Sequence, residues 1–397
     1  RSGAAGRTLP VRLGVLMLTG TAEELAERLR DLPLVDHHVH GCWLADGSRE
    51  RFENALNEGN TDPLPPWDSA FDTQLGFAVR ARCAPLLDLP PHAAAGDYWD
   101  RRRSLGEAEV ARRMTGAAGV GDWVVDTGFQ GQTCTPGELA AIGGGTAHTV
   151  LRLEVLAEQA VAAGGEYAAT FADLLEATTD QQRAVGFKTV IGYRTGFAID
   201  WSEPSRTAVD QAARRWAAHG GRRLADPVLL CFGIRTALAL QARRGGLPLQ
   251  FHVGLGDRDE DLHRTDPLLL LPLLRDPIAT RASIVLLHCY PYERQAGYLA
   301  QAFAGVHLDV GLAVNHLGAR SRALIARSLE LAPFRKLLHS SDAFGPAELH
   351  YLGAELWRSG TAAVLASFVA DGSWSAADAH RVAGLIGAAN ARRLYRL

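Results

Sequence analysis

Residues 36–40 read Asp-His-His-Val-His at the end of the apolar run that opens "LPLVDHHVHGCW", residues 32–43. Two imidazoles spaced two residues apart, His38 and His40, fall on one face of a strand, with Asp36 on the same face and His37 on the other. Such a pair is half of a site for a divalent cation. Alone it would also fit a polar turn. Three further groups recur in the same position: His252 in "QFHVG", His288 in "VLLHCY" and Asp342 in "LLHSSDAF" each close an apolar run. A lone imidazole or carboxylate buried there would cost several kcal/mol, which a shared cation removes for all of them together.

The elements that must bring these groups together are strands joined by helical crossovers. Eight β-rich runs, at 32–40, 122–129, 148–155, 184–192, 247–254, 282–290, 305–314 and 335–344, alternate with segments of helical spacing. That alternation implies parallel strands, and eight of them close a (β/α)8 TIM-type barrel whose active site gathers at the strand ends. An open doubly wound sheet is the alternative, but no GxGxxG fingerprint follows the first run. The expectation is a single barrel domain over 1–397, with a helical insertion or lid at 41–120 and C-terminal helices at 345–397. The insertion carries Trp43, Trp67, Phe71, Phe77 and Trp99, and suits a lid or a homodimer contact.

Composition excludes several classes. The chain of 397 residues is 47% hydrophobic and 21% charged, with a net charge of -3. No basic surface for nucleic acid or an acidic membrane is implied. Five dispersed cysteines without a CxxC pair argue for reduced thiols and a cytoplasmic protein. The apolar run at 13–18 is too short and interrupted for a signal peptide, and no later stretch is long enough to span a bilayer.

Lys188 stands out because the chain holds 41 basic residues and only Lys188 and Lys336 are lysines. A buried lysine can become a neutral amine, which arginine cannot. Arg194, following Tyr193 just beyond the fourth run, is placed to clamp a substrate carboxylate. Arg152 and Glu154 share a face of the third run and are expected to pair with each other. His307, His316 and His339 have no comparable positional support and read as structural.

The DxHxH of Asp36–His40 with His252, His288 and Asp342 resembles the amidohydrolase superfamily. "GFKTVIGYRTG", "LPLQFHVGLGDRDEDL", "IVLLHCYPYERQAGYLA" and "KLLHSSDAFGPAELHYLGA" narrow this to the amidohydrolase-2-like branch, similar to the amidohydrolase domain of FluG-like proteins. The resemblance implies a metal-dependent hydrolase of a C–N bond in a small carboxylate-bearing substrate, a γ-glutamyl-type amide by association with glutamine-synthetase-like chemistry. In that reading His38, His40, His252 and Asp342 hold zinc, and one ion is preferred over two. Asp342 accepts the attacking water's proton and returns it to the leaving group. His288 polarises the carbonyl or joins Lys188, as a carbamate, on a second metal. Arg194 and Tyr193 face the substrate, and any synthetase-like partner is a separate protein. The branch also implies two alternatives: a metal-dependent non-oxidative decarboxylase of a small aromatic or unsaturated acid, and a catalytically silent barrel that binds a ligand or partner.

Overall fold

A computed structural model describes residues 23–60, 62–129 and 132–397. The apolar run at 13–18 lies outside the described residues. Seven strands pair in sequence order, all parallel: β1 (Leu34–Val39), β2 (Val120–Asp126), β3 (Thr146–Arg152), β4 (Gly186–Thr189), β5 (Leu249–Val253), β6 (Ile284–His288) and β7 (Val306–Leu308). The sheet curls into a half-barrel clothed by helices, an α/β architecture. Each strand coincides with one of the apolar runs because β-branched and aromatic residues fill both faces of a sheet buried on both sides. Along β5, Leu249, Phe251 and Val253 pack outward into the main core. Gln250 and His252, the alternate residues, are also buried.

The eighth strand expected at 335–344 is not formed. A turn of 3-10 helix occupies Phe334–Lys336, and the Leu337 carbonyl accepts from Asn390 Nδ2 at 2.8 Å. The Asp36 carboxylate takes the Ser341 N–H at 3.0 Å, and Asp342 has a left-handed backbone, φ 50°. These side-chain partners and the reversed φ break a regular ladder. The segment nevertheless touches both edges of the sheet. Leu338 N donates to Leu308 O at 3.0 Å on β7, while Asp342 N donates to His38 O at 3.0 Å and His40 N to Ala343 O at 2.9 Å on β1.

Two other runs shorten for a local reason. Beyond Arg152 the chain turns directly into a helix at Leu153, and beyond Leu308 into a helix from Gly311. The segment between β1 and β2 is helical, with α1 (Arg49–Asn54), α2 (Ala95–Leu105) and α3 (Glu107–Ala118) among its elements. Its packing is anchored by Arg102, which is buried against Glu107 and Glu348. After β7 come α4 (Gly311–Leu317), α5 (Ala347–Ala370) and α6 (Asn390–Tyr395). Leu394 and Tyr395 of α6 join Val35, Val124, Val150, Val285, Leu287 and Leu338 in an apolar plug separate from the main core. No helix among the described residues is long and apolar enough to cross a membrane.

Candidate metal centre

His38 and His40 share a face as expected, both reaching Asp342, but the alternation along β1 is broken before them. The register with β2 slips between Asp36 and Val39, and His37 and His38 are both fully buried. His37 Nε2 lies 2.8 Å from Asp309 Oδ2, and its Nδ1 lies 3.1 Å from the Tyr395 hydroxyl. Asp36 does not join the histidines. Its carboxylate accepts from Ser341 Oγ at 2.5 Å as well as from Ser341 N. Burial raises that carboxyl to about 7. A bulge inserts one residue against its partner strand, so neighbours that should alternate no longer do.

His38, His40 and His288 converge on Asp342. Their Nε2 atoms lie 3.1, 3.3 and 3.3 Å from its carboxylate oxygens. His252 extends the row, with its ring centroid 4.7 Å from that of His288. Its Nε2 lies 3.2 Å from Glu260 Oε2. Lys188 points at the same place, Nζ lying 3.3 Å from His38 Nε2. Both His288 and Asp342 occupy the left-handed region, φ 68° and 50°. That conformation costs roughly 1–3 kcal/mol for residues other than glycine, and here it turns side chains at the ends of their segments into a common centre.

The hydrogen bonds behind the imidazoles fix which nitrogen carries the proton. His40 Nδ1 is 3.0 Å from the Asp126 carbonyl, which only accepts. His38 Nδ1 is 2.9 Å from Gln250 Oε1, and the Gln250 amide nitrogen is committed to His37 O at 2.9 Å and the Tyr395 hydroxyl at 2.7 Å. Both Nδ1 atoms therefore donate, and both Nε2 atoms present lone pairs to Asp342. Burial, and then Lys188, lower His38 to about 4, so it is neutral at physiological pH. Burial alone would raise the Asp342 carboxyl; protonated imidazoles facing it, His288 first and then His38 and His40, would hold it well below the usual range, and a cation among them would do the same.

An ionised carboxylate facing the His38 and His40 lone pairs makes a buried cluster richer in acceptors than donors, the donors at hand being Lys188 Nζ and one ring N–H on each of His252 and His288. Asp342 Oδ1, His252 Nε2 and both ring nitrogens of His288 have no hydrogen-bond partner. Such groups are stable in a protein interior when a cation sits among them. His38, His288 and Asp342 each offer a ligand atom within 4.8 Å of the others, as do His38, His40 and Asp126. The second group is the poorer ligand set, because Arg152 occupies Asp126 Oδ2 at 2.6 Å and Gly128 N occupies Oδ1 at 2.8 Å. The expected Arg152–Glu154 pair is thus replaced by Arg152–Asp126. Glu154 instead accepts from Thr189 Oγ1 at 2.7 Å and Val190 N at 2.9 Å. The helix that starts at Leu153 ends the strand alternation on which that pairing rested.

Burial lowers Lys188 to about 8 despite its carboxylate neighbours. The metal-side cluster opens into a cavity of about 690 Å³ lined by His40, Lys188, His252 and Asp342, by Tyr193 and Arg194, and by Glu58 of the β1–β2 segment. Arg194 Nε is buried without a partner, and the Tyr193 hydroxyl lies 3.5 Å from His252 Nδ1. Phe129 packs at a tilt against Phe344 beside His40. His307 is buried away from this cavity against the Gly305 carbonyl, and His339 packs on Trp357. His316 lies 3.9 Å from Glu58. Gln250, Asp309 and Glu58 were not singled out by spacing. Gln250 carried the one legible signal, a buried polar residue two positions before His252.

A curled parallel sheet with imidazoles and a carboxylate at its strand ends defines a metal-dependent hydrolase of the amidohydrolase type. Residues 153–397 match the Amidohydrolase family, and the chain belongs to it. The match includes Lys188, His252, His288 and Asp342, whereas His38 and His40 precede it. The chain is 32% identical over 241 residues to protein fluG of Emericella nidulans, 58% of this chain and 28% of fluG. It therefore spans about a quarter of that relative's length. A protein from Lactobacillus casei assigned to the metal-dependent hydrolases superimposes with a TM-score of 0.81 at 25% identity, covering 94% of this chain and 97% of that one. A uronate isomerase from Bacillus halodurans shares the fold at 13% identity, TM-score 0.61, over 96% of this chain and 97% of its own.

Proposed function

We propose that the protein hydrolyses a C–N bond, an amide of a small carboxylate-bearing substrate such as a γ-glutamyl-type amide, with one zinc ion. The convergence of His38, His40 and His288 on the Asp342 carboxylate at the floor of the cavity carries this reading. His38, His40, His252 and Asp342 would hold the ion, with the 337–345 segment closing the sheet as an eighth wall. When bound, a divalent ion acts as a Lewis acid and lowers the pKa of water towards neutrality. Asp342, ionised at neutral pH, takes the proton of the attacking water. His288 faces the substrate carbonyl, and the unpartnered Arg194 guanidinium receives the substrate carboxylate beside Tyr193. Gln250 and the Asp126 carbonyl hold the His38 and His40 rings in the required tautomer.

Asp342→Asn tests the central assignment, because it keeps an oxygen for the ion and removes the proton acceptor. The variant is expected to retain most of its metal while kcat for amine release falls about 10²-fold or more, with KM little changed. Carbon dioxide in the headspace, with no amine released, would instead identify a decarboxylase. A fully metallated Asn variant turning over at the wild-type rate would refute the role given to Asp342.

A further inference from the structure

All five cysteines are buried free thiols, and two of them touch. Cys42 Sγ lies 3.6 Å from Cys134 Sγ across 92 residues of sequence, and the Cys134 N–H donates to the Cys42 carbonyl at 2.8 Å. Neighbouring chains joined by such a bond run about 5 Å apart, inside the roughly 4.4–6.8 Å between Cα atoms that a disulfide spans. The other thiols are placed differently: Cys231 and Cys289 donate to the carbonyls of Ser202 and Leu286. Cys134 precedes the helix Pro136–Gly143 and is 7% exposed, whereas Cys42 is fully buried. A small solute therefore reaches Cys134 first.

Two cysteines can also meet in a core as small hydrophobic residues, but this pair adjoins the metal centre. Cys42 lies two residues beyond His40, where the exit of β1 has no slack. A Cβ on Gly41 would lie 2.2 Å from the Cys134 carbonyl oxygen and 3.0 Å from Thr133 Cβ. On its other side the exit is bonded to the segment that carries Asp342. His40 N donates to Ala343 O at 2.9 Å, Gly345 N to Gly41 O at 3.1 Å and Trp43 N to Gly345 O at 2.8 Å. A disulfide draws two sulfurs to about 2.05 Å, here roughly 1.5 Å closer than the thiols at 3.6 Å. Rotation of the side chains takes up part of that closure. The rest moves Cys42, and with it His40, whose Nδ1 rests on the Asp126 carbonyl at 3.0 Å.

We propose that Cys42 and Cys134 form a reversible redox modification site, with hydrogen peroxide as the oxidant, whose disulfide weakens metal binding at the centre next to it. The coupling rests on the reading of His40 as a metal ligand, and the cross-link does not. Cys134 sulfur attacks one peroxide oxygen, so an S–O bond forms, the O–O bond breaks, and the departing hydroxide leaves as water with the Cys134 thiol proton. Cys42 sulfur then attacks Cys134 sulfur. The S–S bond forms as the S–O bond breaks, and the second oxygen leaves as water with the Cys42 proton. The two thiols together lose two electrons, which reduce one peroxide to two waters. A dithiol restores both thiols by two exchanges and is itself oxidised to a disulfide.

The test begins with zinc-loaded wild type, treated with hydrogen peroxide and then with catalase. Tryptic mapping without reductant should find peptides 31–49 and 114–152 joined through Cys42 and Cys134, and dithiothreitol should separate them. Chelator competition should show zinc held about 10-fold or more weakly in the oxidised protein, the scale on which a disturbed ligand support acts, with full affinity returning on reduction. Cys42→Ala and Cys134→Ala should each form no cross-link and keep their zinc affinity through the peroxide treatment, while Cys231→Ala should respond as the wild type does. Melting temperature establishes that each variant is folded, and the wild-type comparison stands without them. Peptides that stay separate in the wild type, or an equal loss of affinity in Cys42→Ala, overturn the proposal. Reduced wild type that binds no zinc overturns the metal-centre reading and the coupling with it. Zinc held equally by the reduced and cross-linked forms overturns the coupling alone, and the proposal with it.

Discussion

Gln250 is the residue on which the tautomers behind the metal centre turn, and Gln250→Leu isolates its contribution. The side chain is fully buried and makes three hydrogen bonds, to His38 Nδ1, His37 O and the Tyr395 hydroxyl. In the Leu variant Tyr395 keeps His37 Nδ1 as a neighbour at 3.1 Å, so two groups are orphaned, the His38 Nδ1–H and the His37 carbonyl. At about 1–3 kcal/mol each they remove about 2–6 kcal/mol, and burying a leucine returns about 1.5–3 kcal/mol. The net change runs from about −1 to about 4.5 kcal/mol, a loss of about 2 kcal/mol at the middle of these ranges. The His38 ring loses the acceptor that fixes its orientation, which typically weakens metal binding 10–100-fold. Chelator competition measures affinity and urea unfolding of the apoprotein measures stability. Leu365→Ala, a fully buried residue of α5, supplies a matched control, with a stability loss of about 2–5 kcal/mol and no contact with the site. Gln250→Leu should lose affinity where Leu365→Ala does not. Equal affinities in the two variants would refute the argument.

Two further outcomes follow from buried titratable groups. Lys188→Ala should leave a single ion in place and raise KM if Lys188 acts as an amine beside His38. If it bridges two ions as a carbamate, the variant should lose one of two metals and recover activity with added short carboxylates, and elemental analysis of the wild type separates these cases. His307 and His339 are lowered by burial to about 4 and about 3, so their stabilisation is complete above the unfolded value near 6.5 and is lost as pH falls below it. His339→Gln should therefore flatten the decline in unfolding free energy between pH 7.5 and 5.0 by about 2 kcal/mol, and a decline as steep as the wild type would count against a neutral buried His339.

The sequence carried the strand positions well, because apolar runs such as "VLLHCY" are long-range burial signals that survive without knowledge of neighbours. It carried His252, His288 and Asp342 as candidates because each closes such a run, His38 and His40 because of their spacing, and Lys188 because lysine is so rare in this chain. What it concealed depends on partners distant in the chain. The bulge in β1 is set by register with β2, and the irregular path of 337–345 is set by Asn390 and Asp36. Gln250 shows in the sequence only as a polar residue within an apolar run, and its hold on His38 becomes visible only when His38 and Tyr395 are seen against it. Glu58 sits in a segment whose helices follow no pattern shared with the strands, and only the folded cavity shows it as a lining residue.

The hydrogen bond between His37 and Tyr395 spans 358 residues of sequence. At the usual 5–20 residues per second, a ribosome needs roughly 20–70 s to travel that distance. For that interval β1 has emerged with its histidine pair while Gln250, His252, Asp342 and Tyr395 are still being added in turn. A nascent His-x-His binds copper in preference to zinc by the ordinary order of divalent affinities. Selection for the correct ion can operate only once the later ligands have arrived, so the timing of synthesis makes metal choice a late event in the life of the chain.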